Sequence, residues 1–92
     1  MAFARHTSQP NPAATFTRID YEVPREANVT LRVFDAQGRA VRLLASGVAS
    51  PGRTSVRWDL RDDGGVRVRA GIYFYRFRVD RFEAVQRVIV LD

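Results

Sequence analysis

From Thr17 to Val23 apolar and polar residues alternate without a break: Thr17, Ile19, Tyr21 and Val23 fall on one side, Arg18, Asp20 and Glu22 on the other. A two-residue period is that of a strand with one buried face. Pro24, with no N–H to give to a ladder, ends it. The next run sets Val29, Leu31 and Val33 against Thr30 and Arg32. Asp35-Ala36-Gln37-Gly38 then supplies a tight turn, with Asp at its start and Gly where a positive φ is needed. It leads into a third strand, Arg39 to Leu44, with Val41 and either Leu43 or Leu44 inward.

Ser46-Gly47 and Ser50-Pro51-Gly52 bracket a loop, after which Thr54, Val56 and Trp58 alternate with Ser55, Arg57 and Asp59. Asp62-Asp63-Gly64-Gly65 predicts a turn, followed by a short fifth strand, Val66 to Val68. Beyond Ala70-Gly71 comes the most aromatic stretch, with Tyr73, Tyr75, Phe77 and Val79 on one face. Arg76, Arg78 and Asp80 occupy the other, and Ile72 and Phe74 share that Arg face. The last strand, Phe82 to Leu91, is apolar on both sides near its end, a pattern of burial or of an edge awaiting a partner. Seven short strands with turn signals about every ten residues predict an all-β antiparallel sandwich over residues 15–92. Residues 1–14, polar and carrying Pro10 and Pro12, read as an irregular lead-in.

Ninety-two residues suffice for one core and not for two. No apolar run approaches the roughly eighteen residues of a membrane span. Met1 to Pro12 lacks the apolar centre of a secretory signal, so either the protein is intracellular or Met1 opens a piece of a longer secreted chain. With no cysteine the fold rests on packing, and thiol chemistry is excluded. The net charge is +5, and every cation is Arg. That bias fits a GC-rich coding sequence, so a solvated Arg surface ranks ahead of nucleic-acid binding.

Candidate chemistry is sparse. His6, the one histidine, sits in the lead-in, too isolated for zinc or for a Ser–His–Asp arrangement. Asp59, Asp62 and Asp63 lack the spacing of a calcium loop and suit a turn whose carboxylates accept backbone N–H groups. Gly64-Gly65 and Gly71 are not followed by the Lys and helix of a phosphate loop. Trp58 alternates with Val56 and Thr54 as a core residue does, rather than as a sugar platform. These residues carry no catalytic, cofactor or metal site. Ile72, Phe74, Arg76 and Arg78 remain as an exposed contact patch for a partner.

Four pieces, read in order, resemble one family. They are Asn11-Pro12 with Phe16 to Pro24; Val29 to Arg42; Trp58-Asp59 with Asp62, Gly64-Gly65 and Val68; and Ala70-Gly71-Ile72-Tyr73-Phe74-Tyr75-Arg76. Together they resemble the Ig-like domain of the flagellar hook-capping protein FlgD. The relatives of that domain include the type A C-terminal sorting domains of type IX secretion substrates. The resemblance implies a seven-stranded Ig-like (fibronectin-III-like) sandwich at the C-terminus of a larger secreted or cell-surface bacterial protein. In the sorting branch an outer-membrane translocon reads the domain and it is then removed. In the hook-capping branch it stays as a structural module. Arg87-Val88-Ile89-Val90-Leu91 is similar to the basic-then-apolar end of sorting domains, which makes it the expected recognition strand, its backbone edge open to strand pairing. The expected partners are secretion machinery or the parent protein's other domains.

Overall fold

The computed structural model describes residues 5–92, with side chains from residue 7 onward. The reading of His6 as a linker side chain falls outside the described residues. Seven strands are formed: β1 (Arg5–Gln9), β2 (Thr17–Val23), β3 (Ala27–Asp35), β4 (Ala40–Ala49), β5 (Gly52–Trp58), β6 (Gly71–Val79) and β7 (Phe82–Val90). They build two antiparallel sheets, ordered β1-β2-β5 and β4-β3-β6-β7, with no helix among the described residues. The sandwich is as expected, but two of its parts lie elsewhere.

The lead-in is not irregular throughout. Arg5–Gln9 pairs along β2, with Ser8 opposite Ile19, so the domain begins well before residue 15. As the outer strand of its sheet, β1 needs no alternating apolar face, and its polar sequence gave no such signal. Ser8 nevertheless reaches the other sheet, where it hydrogen-bonds the Tyr75 side chain. Conversely, Val66 to Val68 forms no strand. Asp62 closes that segment on itself: its N–H donates to the Val66 carbonyl (2.9 Å) and its Oδ1 accepts the Val66 N–H (2.9 Å). With those groups spent locally, only an isolated Arg61–Arg67 bridge remains.

The period-2 readings of β2, β3 and β6 hold residue for residue. Between the sheets lie Trp58, Tyr75, Phe77, Ile19, Leu31 and Leu60, all fully buried. Tyr21 packs on Phe77 at 4.8 Å between ring centres, and Trp58 meets Tyr73 edge-on at 5.8 Å. The Trp58 indole N–H donates to the Arg61 carbonyl (2.9 Å), so its polar atom is satisfied where the ring is buried. On β4 the register skips Leu44 and then Val41. Each is the extra residue of a β-bulge, and both pack against the core. Leu43, paired with Arg32, faces outward.

Candidate functional site

The outer face of the four-stranded sheet brings side chains of β3, β6 and β7 together. Ile72, Phe74, Arg76 and Arg78 of β6 lie on one face, as their alternation predicts. The register places Thr30, Arg32 and Phe34 of β3 beside them, and Glu83, Val85, Arg87 and Ile89 of β7 on the other side. Phe34, Phe74 and Ile89 are half-buried, whereas Ile72 and Val85 are 46% and 57% exposed. The Arg76 guanidinium lies over the Phe34 ring at 4.6 Å. Arg78 pairs with Glu83 at 2.7 Å. Among the described residues Arg32, Arg76 and Arg87 make no ion pair. Two shallow grooves of about 530 and 400 Å³ meet at Phe74 and Val85. Phe34, Arg32 and Val85 were not anticipated. The signal was present, since Phe34 shares the parity of Arg32, but it became a patch only once β3 and β7 were known to flank β6.

The expected recognition strand is divided by its own pleat. Val88 and Val90 are buried in the core, while Arg87 and Ile89 point outward and Leu91 lies at the surface. Its backbone edge, expected to be open, is covered. The Asn11 amide Nδ2–H donates to the Arg87 carbonyl (2.9 Å), and Asn11 Oδ1 accepts the Ile89 N–H (3.0 Å). Ala13 continues the row: its N–H donates to the Ile89 carbonyl (2.8 Å) and its carbonyl accepts the Leu91 N–H (2.8 Å). Ala13 is itself fully buried. Arg67 adds a clamp, donating to the carbonyls of Ala14 (2.8 Å) and Leu91 (3.1 Å). A short polar amide thus stands in for a strand, which no periodicity in the sequence announces.

The loop carboxylates are committed to backbone. Asp62 Oδ1 accepts the N–H groups of Gly64 and Val66, Asp63 accepts that of Leu43, and Asp59 accepts that of Arg61 while pairing with Arg42. No group of three His, Cys, Asp or Glu among the described residues is placed to hold a metal. At the β3–β4 turn Asp35 accepts the N–H groups of Arg39 and Gln37 and pairs with the Arg39 side chain. The Arg39 N–H, followed by these other contacts, holds its carboxyl below the usual range.

The FlgD Ig-like domain model matches residues 10–81, and the chain belongs to that family. Among solved structures it is similar to dimeric latent PorU of Porphyromonas gingivalis. There the TM-score is 0.71 and the identity 22%, over 96% of this chain and 9% of that one. PorZ of the same organism, described as an essential surface component of the type IX secretion system, gives 0.63 and 20%, over 95% of this chain and 11% of that one. FlgD of P. aeruginosa gives 0.62 and 20%, over 96% and 67%. The chain therefore spans about a tenth of the PorU and PorZ chains it resembles. No curated protein matches it.

Proposed function

We propose that this chain is a non-enzymatic sorting and anchoring module of a bacterial secreted or cell-surface protein, of the kind that type IX secretion handles. The observation that carries this reading is the likeness to PorU over 96% of the chain, and PorZ, a type IX surface component, matches at similar coverage. The geometry agrees with it. Among the described residues the loop carboxylates hold turns and the aromatic rings form either core or outer face, which supports a role by contact. What the module offers a partner is surface: the Ile72–Phe74–Arg76–Arg78 patch and the outward side chains of Arg87, Ile89 and Leu91.

A second reading is a structural Ig-like module retained in an extracellular assembly, as family membership suggests. The burial of Val88 and Val90 favours it, because the terminal strand is part of the core rather than an appended tag. Peptide mapping of the native gene product in cells and medium separates the two. The sorting reading expects a long precursor whose mature form lacks these residues. A mature protein that keeps them establishes the retained module instead.

A further inference from the structure

We infer that the outer face and the remaining open stretch of β7 form a docking site for an acidic, extended peptide segment. That segment adds as an antiparallel strand beside Val85 and Arg87. The inference rests on the module acting by contact, and stands whether the module is removed or retained.

Along a strand the N–H and C=O groups of every second residue point the same way. Asn11 and Ala13 engage the outward groups of Arg87, Ile89 and Leu91. By the same alternation both groups of Val85 and the N–H of Arg87 also point outward. Among the described residues nothing accepts or donates to them. Edge strands left open in this way template another strand. The latch thus confines the free edge to the start of β7, where it borders the groove between Phe74, Val85 and Arg87.

Charge selects the occupant. Arg32, Arg76 and Arg87 face outward without carboxylate partners among the described residues, and the two acids that line the grooves, Glu83 and Asp35, are spent on Arg78 and Arg39. Residues directly opposite across a new ladder share a face. A bound strand therefore places a carboxylate against Arg87 and, two residues on, an apolar side chain against Val85 and Phe74. A single-stranded nucleic acid fits less well: it carries no row of N–H and C=O groups at strand spacing to pair along an edge, and Arg76 already covers the Phe34 ring it would stack on.

The test is a titration of the isotope-labelled 92-residue protein, followed by amide shifts. The probe is a capped peptide of sequence Thr-Glu-Thr-Val-Thr-Thr-Thr, with a net charge of −1. Saturable shifts at Val85 and Arg87 are expected. Arg87→Glu, exposed and outside the core, should weaken binding about tenfold, as losing and reversing one charge-assisted contact does. Alternate N-methylation of the peptide should abolish it. Absence of saturable shifts at millimolar peptide overturns the proposal. So does an N-methylated peptide that binds equally well, or oligothymidylate that binds more tightly at the same residues, which would make the face a nucleic-acid surface. Loss of the module from the mature protein would bear on its sorting role and leave this result unchanged.

Discussion

Replacing Asn11 with alanine removes the two hydrogen bonds by which a residue before the first buried strand closes the edge of the last one. The side-chain amide donates to Arg87 and accepts from Ile89 at 2.9 and 3.0 Å. Both bonds lie at the surface, so the released groups turn to water and the loss is the net worth of each bond, about 0.5–1.5 kcal/mol. Together they come to about 1–3 kcal/mol. In a domain of this size each kcal/mol moves Tm by about 4–8 °C, so the variant should melt roughly 8–16 °C lower at the central value of about 2 kcal/mol. The local effect is sharper. The Ile89 amide loses its acceptor outright, and its hydrogen exchange should accelerate more than that of Val88, whose N–H points the other way. Asn11→Asp keeps an acceptor for Ile89 while losing the donor to Arg87, and should show an intermediate melting point with Ile89 still protected. Equal Ile89 protection in wild type and Asn11→Ala would show that the amide does not serve as a strand, and the reasoning would fail.

Three other outcomes follow from buried groups. Trp58→Ala empties the centre of the sandwich and should cost about 3–5 kcal/mol, read by chemical denaturation. Thr17 is fully buried, and its hydroxyl has no partner among the described residues; Thr17→Val should raise stability by about 1 kcal/mol, and a lower Tm would contradict it. Burial pushes the Tyr75 phenol up to about 12 from 10.0, opposed by its hydrogen bond with Ser8. Because the folded state favours the neutral phenol, this contribution is complete below about pH 10 and is lost as pH rises toward 12. Tyr75→Phe should flatten that alkaline loss, which denaturant melts at several pH values would register.

The legible parts of the fold were those with one wet face and one dry one. β2, β3 and β6 could be read residue by residue because burial of Ile19, Leu31 or Phe77 forces the opposite parity outward. β1 could not, since an outer strand of polar residues pairs through backbone that every sequence shares. β4 was legible only in part. Its two bulges shift the parity twice, so Leu43 and Leu44 could not be ordered from spacing alone. The patch showed the same limit. Its β6 members were visible, whereas Phe34, Arg32 and Val85 joined them through pairings between distant segments. Asn11 illustrates the extreme case, where one side chain mimics a strand and leaves no pattern at all.

The division of Arg87 to Leu91 by the pleat limits how that segment can be recognised. Peeling it from the folded domain returns Val88 and Val90 to water at about 1.5–3 kcal/mol each and breaks the row of bonds to Asn11 and Ala13. The sum is a large part of the 5–15 kcal/mol that holds a typical domain together. A receptor acting on the folded module therefore meets the side chains of Arg87, Ile89 and Leu91, not a free ladder. One that needs the whole strand must act before the sandwich closes. The two cases separate in export assays of paired variants. Arg87→Ser and Ile89→Ser leave the core intact, and should block export wherever these side chains are read, on the folded surface or in the unfolded end. Val88→Ser, which buries a hydroxyl in the core, should unfold the module; export that survives it while Arg87→Ser still blocks would mean that the unfolded end is the signal. Normal export of both Arg87→Ser and Ile89→Ser would remove this strand as a recognition element.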